Sequence, residues 1–145
     1  GMICANVASM VVNNVKPVLV HTILCDDVRQ EIGGKFSLMG LFETISSGTF
    51  PVVHPRFAIM NEWSGGRGEF KARIRLLAPD RKTVISESEA KLALFSETQH
   101  HRDISLRFNT TFPAPGTYWI EMLIDNEQVA LVPLPVQQIS QQTVH

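Results

Sequence analysis

Cysteine is scarce: Cys4 and Cys25 are the only thiols in the chain. Two are too few for a disulfide framework, so the expectation is reduced thiols and a core that holds without staples. A dominant charge sign is missing as well, with 13 basic against 14 acidic residues and a formal net charge of -1. Such a balance gives no general attraction to phosphate backbones or anionic lipid, which argues against nucleic acid and membrane as partners. Asn13 and Asn14 interrupt the apolar N-terminal stretch, and no basic region precedes it, so neither a membrane span nor a secretory leader is indicated. A cytoplasmic location is expected.

Catalytic signatures are absent too. Neither EWSGGRG nor SLMGLF has the Gly-x-Ser-x-Gly spacing of a nucleophile elbow. No glycine-rich loop follows a strand and opens a helix to cradle a phosphate. His21, His54, His100 and His101, with Cys25, Asp26 and Asp27, are the only candidates for a metal or acid/base cluster. They do not form the two spaced ligand pairs of a typical zinc site, and no cofactor is expected. The bland explanation of Asp26 and Asp27 is a turn at the end of the first strand, where carboxylates accept backbone N–H groups. Cys25 beside a histidine is a possible thiolate nucleophile, set against the commoner buried structural cysteine.

What the chain does have is alternation. Phe70, Ala72, Ile74 and Leu76 fall on one face of an extended strand, with Lys71, Arg73 and Arg75 opposite. The same rule places Ile104, Leu106 and Phe108 inward and Asp103, Ser105, Arg107 and Asn109 outward. It also groups Tyr118, Ile120, Met122 and Ile124 against Trp119, Glu121, Leu123 and Asp125. No 3.6-residue period is sustained. Turn residues interrupt the runs in IGGK, TFPVVHP, SGGRG, APDRK and PAPG. The predicted strands are roughly 18–25, 35–45, 56–63, 69–78, 83–95, 103–111, 117–125 and 128–136. This pattern indicates an all-β fold, a sandwich or barrel; with the Gly-Thr-Tyr triplet considered below, the expectation is an antiparallel immunoglobulin-like sandwich of about eight strands. Antiparallel neighbours are expected throughout, because parallel pairing needs long crossovers. A chain this long fits one domain that buries roughly 68% of its unfolded surface. Residues 1–15 are assigned to an arm ordered at most in part, 16–137 to the sandwich and 138–145 to a polar, mobile tail.

Several residues stand out. Gly-Thr-Tyr at 116–118 matches a tyrosine corner, whose hydroxyl returns to upstream backbone. Pro133 and Pro135 cannot donate ladder hydrogen bonds, which confines the last strand largely to an edge. Glu87 and Glu89 alternate in step with Arg75 and Arg73, so cross-strand pairing is expected to absorb the basic row. Gly40, inside a strand, signals a bulge or a close backbone approach. With Tyr118 inward, Trp119 faces solvent or a partner, and Leu123 shares its face along with Leu77 on another strand. The alternative is that residues 2–15 cover this face.

The run ILCDDVRQEIGGKFSLMGLFETI, residues 23–45, is the most distinctive part of the chain. It resembles the N-terminal signature of an uncharacterised bacterial family, a domain of unknown function, in which Cys-Asp-Asp precedes Gly-Lys-x-Ser-Leu-x-Gly. FPVVHPRFAI, FPAPGTYWIEMLID and PLPV are similar too, so the resemblance covers most of residues 18–136. It implies an immunoglobulin-like sandwich without an assigned activity and supplies no catalytic residues. About fifteen residues ahead of the first strand depart from the family pattern. The leading expectation is a non-enzymatic module that binds a protein partner or a second copy of itself. Its candidate binding residues are Trp119, Leu123, Trp63, Asp26, Asp27 and Arg29. The alternative is a small-ligand or metal-dependent binding or hydrolytic domain, with a pocket near Cys25-Asp26-Asp27 and the His54 loop.

Overall fold

The computed structural model describes residues 14–140; Cys4, most of the expected arm and the end of the expected tail lie outside them. Nine strands make up the described chain, with no helix among the described residues. They are β1 (Val18–Gln30), β2 (Phe36–Phe42), β3 (Ile45–Ser47), β4 (Val52–Ser64), β5 (Gly68–Leu77), β6 (Val84–Leu94), β7 (His101–Phe112), β8 (Gly116–Ile124) and β9 (Glu127–Gln138). One sheet has the order β2-β1-β4-β7, the other β3-β9-β8-β5-β6. The first is curled into a half-barrel.

The shared core is apolar and draws on both sheets. Leu24, Phe57, Ile59 and Trp63 come from the four-stranded sheet, and Phe70, Ile74, Leu76, Tyr118, Ile120, Met122 and Leu134 from the five-stranded one. The alternating rows read from the sequence place the β5 and β8 members of this core. Their opposite faces carry ion pairs: Arg73 stands across from Glu89 and Arg75 across from Glu87, with Arg73 Nη2 3.2 Å from Glu89 and Arg75 Nε 3.7 Å from Glu87. Tyr118 Oη donates to the Ala114 carbonyl at 2.7 Å, the upstream return expected of the Gly-Thr-Tyr triplet.

Nine strands replace the expected eight because the segment predicted over 35–45 divides. β2 stays with the first sheet, while β3 crosses to the second and pairs parallel with β9 at Val136–Gln138. This corrects the expectation of antiparallel neighbours throughout. The intervening chain from β4 to β8 is itself the long crossover that parallel pairing requires. Because β3 is so short, Glu127–Pro135 has no strand partner on that side among the described residues, and Pro133 and Pro135 fall in this stretch. Gln138, assigned from sequence to the tail, closes β9.

A second correction concerns β7, whose phase is inverted ahead of Asn109. Arg107 is 6% exposed, whereas Leu106 and Phe108 are 43% and 59% exposed. The ladder between β4 and β7 omits the Pro55/Asn109 pair, and Asn109 has φ 50°. Beyond that break Thr110 and Phe112 are buried, so inward positions change from odd to even numbers. The cause lies across the gap. β6 presents Ser86 and Ser88 to β7, and Arg107 Nη1 donates to Ser86 Oγ at 3.1 Å, while Nη2 donates to Ser88 Oγ at 2.8 Å and to the Ile74 carbonyl at 3.3 Å. Ser88 and Ser105 are also hydrogen-bonded, at 3.1 Å. The seam where the two sheets meet is polar, and the apolar side of β7 turns to the other face. Burial raises the pKa of the Asp103 carboxyl above its ordinary value and lowers that of the Arg107 guanidinium.

Candidate functional site

The outer face of the four-stranded sheet is where the apolar side of β7 goes. Across that face Cys25 stands beside Ala58 and Ala58 beside Leu106, while Ile23 stands beside Met60 and Met60 beside Ile104. In a flat sheet with one solvated face these side chains would be wet. Instead Cys25, Ala58 and Met60 are buried, on a sheet that curls into a half-barrel. Around this apolar centre Leu41, Leu106 and Phe108 remain exposed.

β1 and β2 carry a local irregularity. Their ladder omits the Asp26/Gly40 pair, and Gly40 adopts φ 70°, a conformation that favours glycine. A Cβ at position 40 would overlap the Asp26 carboxylate, so a side chain there would have to displace Asp26 as well as strain the backbone. Beyond this break the hairpin comes over its own sheet. Lys35, Phe36 and Leu38 line the same cleft as Met60 of β4 and Arg102 of β7, although β2 and β7 are opposite edges. The cleft has a volume of about 450 Å³.

Charged groups bound this face at both ends. At one end the buried Glu62 carboxylate is 3.2 Å from Arg102 Nη2, 3.6 Å from His100 Nδ1 and 3.8 Å from His21 Nε2. At the other, Asp27 Oδ1 is 2.9 Å from Arg56 Nη2 and accepts the Val28 N–H at 2.9 Å, with Arg29 Nε 3.9 Å from Oδ2. Arg56 also lies over the Phe108 ring, 5.9 Å from its centroid.

The residues singled out from sequence are scattered. Asp26 and Asp27 do not form a turn at a strand end; they sit within β1, which runs on to Gln30. Asp26 is exposed against Gly40, and Asp27 is held by Arg56. His54 packs edge-on against Phe57, with ring centroids 5.5 Å apart, and does not converge with the aspartates. Among the described residues no group of three or more His, Cys, Asp or Glu side chains is placed to hold a metal ion. Burial, followed by the neighbouring Asp26 charge, pushes the Cys25 thiol up, which disfavours the thiolate a nucleophile needs.

Trp63 is a core residue, 1% exposed. Leu123 is buried at 5%, so it does not share an open apolar face with Trp119. Leu77 is buried as well, beside a register shift in β5. Trp119 is half-buried, with the Arg81 guanidinium stacked 3.9 Å from its ring centroid. The apolar patch expected around Trp119 is therefore replaced by one on the opposite sheet. The sequence signal for it was the unbroken apolar run Phe57–Met60, since a strand buried on both faces loses its alternation.

No helix among the described residues is long and apolar enough to cross a membrane. No curated protein matches the chain. The model of a family of unknown function, DUF6941, matches residues 21–137, spanning all nine strands but the first residues of β1 and the last of β9, and the chain belongs to that family.

Proposed function

We propose that the protein is a non-enzymatic interaction module that takes a protein partner onto the concave outer face of its four-stranded sheet. The observation that carries this reading is the exposure of Leu106 and Phe108 beside Ala58 and Cys25, which the same face buries. Large apolar side chains grouped on one face and rimmed by charge mark a surface that a partner covers. Concavity selects the partner: a groove accepts a convex element such as a helix or hairpin, whereas two copies of one groove cannot fill each other. Edge-to-edge sheet extension is disfavoured at β7, where the inward Arg107 and the break at Asn109 are devices that blunt an edge.

The finer fold assignment belongs with this reading. Tyr118 returning to Ala114 and the two-sheet core support an immunoglobulin-like sandwich, and the free, buried Cys25 suits a reducing cytoplasm.

The test is site-specific photo-crosslinking in the native cells, with a benzophenone side chain at position 108 and, as control, at Val129 of β9. A discrete adduct formed from 108 and absent from 129 is expected, and its mass identifies the partner. Equal labelling from both positions, or none from 108, overturns the proposal.

A further inference from the structure

We infer that the cleft beneath the β1–β2 hairpin binds a small amphiphilic anion, an apolar chain carrying a single carboxylate-like head. This inference rests on the reading of the concave face as a binding surface and names a ligand for one end of it. At about 450 Å³ the cleft falls in the range of small-molecule sites, which are mostly apolar with a few placed polar groups. Phe36, Leu38 and Met60 provide the apolar walls, and among the described residues the charged members of the lining are Lys35 and Arg102.

Charge arithmetic gives the sign of the ligand. Lys35 makes no ion pair among the described residues. Arg102 is tied to Glu62 through Nη2 at 3.2 Å, which fixes its guanidinium beside the cleft. Both charges on the described lining are positive; Arg102 is paired with Glu62, whereas Lys35, across the hairpin from Glu31, makes no ion pair with it and is the cation left for a monoanion. The comparable depression on the other sheet, about 440 Å³, lacks this property. There Lys71 faces Glu89 at 3.6 Å and Lys91 faces Glu69 at 3.2 Å, so its lining charges already cancel.

The proposed ligand also matches the hairpin's construction. The break at Asp26/Gly40 brings Phe36 and Leu38 over Met60, and an aliphatic chain between them completes an apolar layer that the protein leaves open. The head would lie toward Lys35, at the exposed end of the hairpin.

The experiment is an NMR titration of the full chain with sodium decanoate below its micelle concentration, followed on backbone amides and the Met60 methyl. Decyltrimethylammonium serves as the cation of equal chain length. Decanoate is expected to give saturable shifts centred on Leu38, Met60 and Arg102, with octanoate weaker on the order of tenfold for its two missing methylenes. Lys35→Glu should weaken decanoate at least tenfold while leaving the melting temperature unchanged, because Lys35 is exposed. Leu38→Trp should fill the cleft and abolish the shifts. Equal affinity for the two amphiphiles, an unchanged constant in Lys35→Glu, or shifts centred elsewhere would overturn the assignment. Failure with decanoate while crosslinking from position 108 persists removes the ligand only; failure of both removes the surface.

Discussion

Truncating Leu106 and Arg107 to alanine tests the phase of β7, because the two possible phases rank the costs in opposite order. With the observed phase, Arg107→Ala removes three hydrogen bonds from a buried guanidinium, to Ser86, Ser88 and the Ile74 carbonyl. At about 1 kcal/mol net for each bond the cost is about 3 kcal/mol. Leu106 is 43% exposed and so realises little more than half of the benefit of full burial, which makes Leu106→Ala cost about 1 kcal/mol. Were the phase reversed, Leu106 would be a core leucine costing about 2–5 kcal/mol and Arg107 a surface residue costing about 0.5 kcal/mol or less. Urea unfolding followed by tryptophan fluorescence, with Trp63 buried in the core as reporter, measures both variants. A larger loss in Leu106→Ala than in Arg107→Ala would refute the inverted phase, and with it the concave apolar face. Asp103 adds a pH signature. Arg107 lowers the pKa of this carboxyl, which burial raises, so removing the guanidinium raises its folded-state pKa further. A carboxyl with a raised folded pKa costs stability above that pKa and nothing below its unfolded value. Part of the Arg107→Ala deficit should therefore vanish as pH falls through the variant's raised folded-state pKa for Asp103, and be gone below the wild-type folded-state value.

Two further outcomes follow from single sites. Asp80 accepts the Lys82 and Thr83 N–H groups, each at 2.8 Å, and the Thr83 hydroxyl at 2.6 Å; the Thr83 hydroxyl bond, the largest contribution, with the backbone bonds holds its pKa down at about 2. NMR titration should find that carboxyl titrating at about 2, moving up in Thr83→Val; because the folded value is depressed, the turn's contribution is present above the unfolded pKa and lost as pH falls through about 2. Gly40→Ala should destabilise by about 2 kcal/mol, from the positive φ and the overlap with Asp26, and Asp26→Gly should recover part of that loss in a denaturation double-mutant cycle. Additive losses would show that position 40 and Asp26 do not meet.

The parts of the fold that were legible are those where one face is wet. β5 shows its inward face at once, since Phe70, Ala72, Ile74 and Leu76 alternate with cations that pair across to β6. Pro133 and Pro135 marked an unpaired stretch because a missing N–H acts through the backbone and needs no tertiary knowledge. Alternation fails where both faces are apolar, or where the inner face is polar. On β7 the rule sent Leu106 inward by default, because Ser86 and Ser88, which favour Arg107 there, come from a strand whose pairing partner lies elsewhere. Asp26 and Asp27 read as a strand end since aspartate favours turns; the Arg56 that holds Asp27 within the sheet is far along the chain.

These failures share one cause. The two omitted ladder pairs, Asp26/Gly40 and Pro55/Asn109, each include a residue at positive φ, and each falls where the inward set of side chains changes. A break of that kind re-aims the side chains beyond it. In β2 it turns Phe36 and Leu38 toward Met60, and in β7 it lets Leu106 and Phe108 lie on one side while Phe112 packs in the core on the other. A two-residue rule applied without breaks therefore recovers the β5 and β8 rows of the core, misplaces β7 and misses the groove. Only Gly40 announced its break in the sequence, as a glycine inside a strand. The concave face is thus assembled from the positions at which local pattern and final structure disagree, and that is where strain and recognition are expected to be found together.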